Sequence, residues 1–163
     1  MKEALVAWLS STSLSHAMSQ SPVLWPIMEM LHFIGLALLI GGAGLIDLRL
    51  MGAMKSVPLS AVMQVRKWAV LGIAINVVTG LLFFIGAPGQ YVSNTAFYYK
   101  LLFLAVAIIN ILIFETRQGT RMLTLTAGQT TPASFKIAGA VSMGSWLMVL
   151  YFGRMLPFIG NAF

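Results

Sequence analysis

The chain has 163 residues, of which 59% are hydrophobic and 9% charged, and its mean hydropathy is +0.90. Soluble domains carry about 25% charged residues, so this composition argues against a soluble enzyme, a disordered chain and a nucleic-acid-binding protein, despite the net charge of +6. The lack of cysteine excludes disulfides and metal sites built on thiolates.

Residues 1–26 form a separate amphipathic segment. Leu5, Trp8 and Leu9 fall on one helical face, and serines supply the polar positions. The apolar run is shorter than the about seven residues that a cleavable signal peptide needs. The segment therefore predicts an interfacial helix on the outer leaflet, with Trp25-Pro26 turning the chain into the membrane.

Four later stretches are apolar and approach the about 20 residues of helix that cross a bilayer. Because backbone amides within hydrocarbon must be satisfied internally, and no period-2 alternation is seen, these stretches are predicted to be helices. The prediction is an all-α fold, a four-helix transmembrane bundle in which residues 1–163 make a single membrane domain. The four spans are about 27–46, 68–86, 97–114 and 137–158.

The connections contain residues that interrupt helices. Pro58 breaks the segment after the first span, and Ala87-Pro88-Gly89 predicts a tight turn after the second. Before the fourth span, Thr131 is predicted to cap a helix whose first residue is Pro132.

The basic residues predict the orientation. Seven lie in the connections 47–67 and 115–136, against three on the other side, so the positive-inside rule places both connections in the cytoplasm and both termini in the periplasm of a bacterial inner membrane. The seven are Arg49, Lys55, Arg66, Lys67, Arg117, Arg121 and Lys136.

Four ionisable residues, Glu29, His32, Lys100 and Arg154, are predicted at similar depth near the outer ends of the spans. Such groups cost a few kcal/mol in a membrane unless they are paired. The simplest interpretation is a structural ion pair of Glu29 with Arg154 or Lys100, or a Lys100 that reaches to the interface.

A second interpretation is a cofactor site at His32. Glu29-x-x-His32 puts a carboxylate and an imidazole on one helix face, and Met28 lies four residues before His32. Imidazole and thioether suit copper(I) or haem iron, so His32, Met28 and Glu29 are candidate metal ligands. Lys100 and Arg154 are placed to bind haem propionates.

The chain limits how such a cofactor is ligated. A two-metal carboxylate site is rejected because the other helices lack the necessary groups. The other histidine, His16, lies in the N-terminal segment and need not reach the site. Haem would therefore need His–Met ligation or a symmetric dimer with one His32 from each protomer. Alternatively, His32 is a hydrogen-bonded packing residue.

Other polar and small residues are predicted to hold helices together. Gly72, Asn76 and Gly80 form a stripe on the second span, which favours close helix packing. Asn76 and Asn110 are predicted to bond across the second and third spans.

Charged residues at the inner ends are predicted to pair locally near the headgroups. Asp47 would pair with Arg49 below the first span, and Glu115 with Arg117 below the third.

The chain resembles a family of small bacterial four-helix membrane proteins of unassigned function. The match runs through Trp25, Glu29, His32, Gly35–Leu39, Asp47–Leu50, Ser93–Phe97, Lys100–Leu102 and Gly153-Arg154. Thr95 replaces the usual proline of an Asn-Pro pair, and Glu29 is one residue further from the tryptophan than usual. The resemblance implies no activity, but it points to Glu29, His32, Asp47, Arg49, Lys100 and Arg154. The layout is loosely similar to copper-resistance membrane proteins and cytochrome b bundles, which carry more histidines.

Three functions remain open. The first is a metal or haem protein for electron transfer or metal handling, with a periplasmic metal or redox partner. The second is a non-catalytic subunit or scaffold, in a homo-oligomer or larger complex within the lipid bilayer. The third is a proton or solute pathway with His32 as a pH switch, for which Asn76, Thr79 and Asn110 make a short polar file. Enzymatic catalysis has least support, because no nucleophile–base pair or phosphate-binding loop is visible.

Overall fold

A computed structural model describes residues 1–122 and 124–159, and all regular structure in them is helical. The helices are α1 (Lys2–Ser10), α2 (Ser13–Gln20), α3 (Leu24–Met51), α4 (Leu59–Val62), α5 (Arg66–Gly86), α6 (Pro88–Val92), α7 (Thr95–Met122) and α8 (Ala133–Met155), with a 3₁₀ turn (Met63–Val65) between α4 and α5. Four stretches, namely α3, α4 with α5, α7 and α8, are long and apolar enough to cross a membrane, which confirms the prediction of a four-helix bundle.

The spans pack in the order α5, α3, α8, α7. Leu39, Ala107, Trp146 and Val149 form a buried cluster between α3, α7 and α8. We call the end of the bundle with α1, α2 and α6 the cap end. The opposite end, with α4 and the 124–132 connection, is the loop end.

The α5 and α7 helices meet near their ends. Phe84 stacks on Phe97 at 5.7 Å toward the cap end, and Arg66 Nη2 lies 2.6 Å from Glu115 Oε1 toward the loop end. The predicted pairing of Glu115 with Arg117 is therefore wrong, because α7 continues as a helix and places Glu115 opposite α5.

The first span is longer than predicted because the Arg49 guanidinium forms its hydrogen bonds with other parts of the polypeptide. α3 runs to Met51, so Asp47 and Arg49 lie inside the helix. Arg49 is fully buried, and it donates from Nε to Val57 O (2.8 Å) and from Nη1 to Thr131 Oγ1 (3.2 Å). The predicted Asp47–Arg49 pair is not formed.

The predicted Thr131 cap is also wrong. α8 begins at Ala133, with Pro132 as the residue before it and no side-chain cap. The Thr131 hydroxyl instead accepts from Arg49 Nη1, and this contact joins the 124–132 connection to the end of α3.

The N-terminal segment folds as two short helices rather than one. The turn into the first span is made before Trp25-Pro26, where the Ser21 hydroxyl accepts from the Leu24 amide at 3.2 Å. Met18 of α2 is buried against Gly86, so α2 lies on the cap end of α5. Trp8 of α1 is exposed.

The small residues of α5 pack closely against α3, as predicted from the spacing of Gly72, Asn76 and Gly80. A β-carbon on Gly72 would lie 2.5 Å from Gly35 O and 2.6 Å from Leu39 N. The asparagines bond differently from the prediction: Asn76 Nδ2 donates to Gly72 O of its own helix, and Asn110 Nδ2 donates to Ala138 O of α8. Asn110 thus joins α7 to α8, because α7 packs there and not along α5.

Candidate functional site

His32 lies on α3 toward the cap end, half-buried against α5. Its Nδ1 is 2.7 Å from Thr79 Oγ1, and the Phe83 ring meets the imidazole edge-on at 5.6 Å. The Thr79 hydroxyl has its own acceptor, Ile75 O at 2.7 Å, to which it donates its single hydrogen. Thr79 therefore accepts from His32, which assigns the proton to Nδ1.

The other ring nitrogen of His32, Nε2, then carries no proton and has a free lone pair. Nε2 has no hydrogen-bond partner within the described residues, and it is not among the fully enclosed polar atoms.

Lys100 lies near the start of α7, toward the cap end of the bundle. The end of its side chain passes beside Gly153 of α8, where a β-carbon would lie 3.7 Å from Nζ. Within the described residues Lys100 has no carboxylate partner. Because a charge in a membrane span is costly unless it is paired, a group other than these side chains must compensate the half-buried Lys100 ammonium.

Glu29 does not supply that compensation. It is exposed and accepts from Trp25 Nε1 at 3.1 Å, so the predicted ion pair with Lys100 or Arg154 is absent from the described part of the chain. The same carboxylate lies near Tyr91 of α6, where burial, and then the Glu29 charge, raise the pKa of the phenol to about 12.

The remaining predicted site residues are less closely assembled. Arg154 is exposed, and its guanidinium lies over the Phe158 ring at 5.3 Å. Met28 is half-buried on α3, and His16 is exposed on α2. In residues 1–122 and 124–159, no group of three or more His, Asp or Glu side chains is placed to hold a metal ion.

A second polar group lies deeper, toward the loop end. Asp47 of α3 is 4% exposed, and its backbone closely approaches α8, where a β-carbon on Gly139 would lie 2.8 Å from Asp47 O. Arg49 and Thr131 complete this loop-end group. The sequence pointed to Asp47 and Arg49, but it predicted Thr131 as a helix cap and not as a partner of Arg49.

One buried polar residue was missed altogether. Trp146 of α8 is 2% exposed within the bundle core, although tryptophans of membrane proteins concentrate at the interfaces. Its position near the middle of the predicted fourth span, far from either end, was the signal available in the sequence.

These features define a multi-pass membrane protein whose spans carry a few separate ionisable side chains. The model of DUF6644, a family of unknown function, matches residues 16–159, and the chain belongs to this family. The match covers all four spans and both polar groups. No curated protein and no solved structure matches the chain.

Proposed function

We propose that this protein binds a redox metal cofactor, haem b or copper, through His32, and that it serves electron transfer or metal handling. One contact carries the proposal: His32 Nδ1 lies 2.7 Å from Thr79 Oγ1, whose hydrogen goes to Ile75 O, so we assign the imidazole proton to Nδ1 and a free lone pair to Nε2. Neutral imidazole with its second nitrogen held by a hydrogen bond is the commonest form of a metal-binding histidine.

Residues toward the same end of the bundle suit either cofactor. Lys100, without a carboxylate partner in the described residues, suits a haem propionate, and Arg154 is a second cation at the same end of α8. Met28 offers a soft thioether that suits copper(I). Since one chain supplies one histidine here, haem would take Met28 or the His32 of a second copy as its other ligand.

The experiment is an absorption spectrum with metal analysis on protein purified in mild detergent, oxidised and then reduced with dithionite. We expect either a Soret band with a reducible α-band or stoichiometric copper without colour. His32→Ala should lose the signal, and the matched control His16→Ala, at the exposed histidine of α2, should keep it. Protein with neither haem nor metal contradicts the proposal.

The scaffold function is the second candidate. Arg49 and Asn94 both join segments that are distant in sequence: Arg49 donates to Thr131, and Asn94 Nδ2 donates to Leu156 O at 2.8 Å. α7 also leaves most of its apolar surface outside the bundle. Colourless, metal-free protein in which His32→Ala folds normally would favour this function.

We also propose a bacterial inner membrane location with both termini in the periplasm, because the basic residues concentrate in the two long connections. The lack of cysteine makes a direct test simple. Ser11→Cys, in the turn after α1, should react with a membrane-impermeant maleimide in intact spheroplasts, and Ser56→Cys only after lysis. The reverse pattern would overturn the orientation.

A further inference from the structure

An open apolar groove runs between α3 and α5 on the outer face of the bundle, in the half toward the loop end. Its volume is about 390 Å³. It is lined by Ala37, Gly41, Gly42 and Leu45 of α3, by Val65 just before α5 and by Trp68 of α5. Ala37, Gly41 and Trp68 are exposed, so the groove opens away from the core of the bundle.

Small residues of α3 form the floor of this groove. The two helices approach each other closely here, because a β-carbon on Gly42 would lie 3.0 Å from Ala69 N. The neighbouring Gly41 faces outward, and a β-carbon there would meet nothing within 4 Å. Glycine destabilises a helix interior, and no contact within the described chain requires it at this position. The groove therefore has room for a group from outside the chain.

A cation stands beside the groove at its loop-end edge. Lys67 Nζ lies 5.5 Å from the centre of the Trp68 ring, and the same ring lines the groove. A cation over an aromatic face is attracted to it, so this contact keeps the ammonium near the groove. The preceding residue, Arg66, is paired with Glu115, whereas Lys67 has no carboxylate partner in the described part of the chain.

A second copy of the chain offers no anion for Lys67 either. All four acidic residues of the chain lie in its described part. Two of them lie toward the cap end, Asp47 is 4% exposed, and Glu115 is paired with Arg66. A copy in the same membrane orientation would therefore bring no free carboxylate to this level. The anion that complements Lys67 has to come from the surrounding membrane.

We propose that this groove binds one anionic phospholipid of the loop-end leaflet, with an acyl chain along Gly41 and Ala37 and the phosphate at Lys67. The stretch from Ala37 to Leu45 spans about 12 Å of helix, which fits within the about 15 Å of hydrocarbon that one leaflet provides. Basic sites between membrane helices bind anionic headgroups in this way. The inference does not depend on the cofactor proposed for His32, which lies toward the other end of the bundle.

The test uses the fluorescence of Trp68, whose ring lines the groove. The protein is reconstituted in phosphatidylcholine vesicles that contain a small, equal fraction of either phosphatidylglycerol or phosphatidylcholine with dibrominated chains, because bromine quenches tryptophan on contact. The Trp68 signal is the difference between the wild type and Trp68→Phe. We expect phosphatidylglycerol to bind about fivefold more tightly than phosphatidylcholine at this position, the effect of one lysine near an anionic lipid.

Matched pairs of variants separate the groove from the general charge and shape of the surface. Lys67→Gln should abolish the preference for phosphatidylglycerol, whereas Lys55→Gln, which removes another exposed lysine at the loop end, should keep it. Gly41→Leu fills the groove and should reduce quenching by both lipids. Gly144→Leu, at an equally open glycine of α8, should not. All of these variants change exposed residues, so the fold is retained.

Each of four results would overturn the inference. Equal quenching by the two lipids would mean that the groove has no preference for an anion. An equal loss of preference in Lys67→Gln and Lys55→Gln would mean that only the overall charge matters. Unchanged quenching in Gly41→Leu would place the acyl chain elsewhere. Trp68 emission that neither lipid quenches would mean that protein, such as a second copy, covers the groove.

Discussion

Replacing Gly72 by alanine is expected to destabilise the bundle by about 1–3 kcal/mol or more, although only one methyl group is added. The new β-carbon would lie 2.5 Å from Gly35 O and 2.6 Å from Leu39 N. Both are backbone atoms of α3, which cannot turn aside as a side chain can, so the two helices must separate. The midpoint of unfolding, measured by tryptophan fluorescence during titration with a denaturing detergent, should fall accordingly.

Gly41→Ala is the matched control. Gly41 is an exposed residue of α3, and a β-carbon there would meet nothing within 4 Å. Its substitution should change stability by no more than about 0.5 kcal/mol. If both variants unfold at the same midpoint, the close approach of α3 and α5 does not contribute to stability as we infer.

The four spans could be predicted from the sequence because hydrocarbon leaves the backbone few alternatives. Their ends at the loop side could not, since Asp47, Arg49 and Glu115 looked like residues of polar connections. In the structure each lies within a helix. Arg49 and Glu115 find partners on other segments, Thr131 and Arg66, which are far away in sequence. Contacts between residues that are far apart in sequence leave no local sequence pattern from which they could be predicted.

The sequence singled out His32 and Lys100 as candidates, but it did not predict the contacts that they make. His32 and Lys100 stand out because ionisable residues are rare in membrane spans. The partner of His32 is a threonine, and threonines are common in such helices as packing residues. The structure was needed to place Thr79 opposite His32. It was also needed to show that Glu29 accepts a hydrogen bond from Trp25 rather than pairing with a cation.

The polar file shows the same limit. From the sequence it consisted of Asn76, Thr79 and Asn110, which was too short to cross much of the bilayer. The structure divides these residues: Asn110 donates to Ala138 O of α8, Asn76 donates to Gly72 O of its own helix, and Thr79 lies opposite His32.

Thr79→Val is expected to lower the affinity of the protein for its cofactor about 10–100-fold, the usual effect of losing an outer partner of a metal-binding histidine. Valine keeps the branched shape but offers no acceptor to His32 Nδ1, so the imidazole is free to rotate and to exchange tautomers. Thr79→Ser keeps the hydroxyl and should keep the affinity. Titration of haem, or of copper(I) against a competing chelator, into cofactor-free protein measures the difference.

The ring nitrogens of His32 give a readout that does not depend on the cofactor. In ¹⁵N spectra of the cofactor-free protein, the wild type and Thr79→Ser should show the proton on Nδ1, whereas Thr79→Val should show a mixture of tautomers. Equal cofactor affinity in all three proteins, alongside this change in tautomer, would reduce the Thr79 contact to a packing role. Unchanged spectra in Thr79→Val would contradict the hydrogen bond on which the proposed function depends.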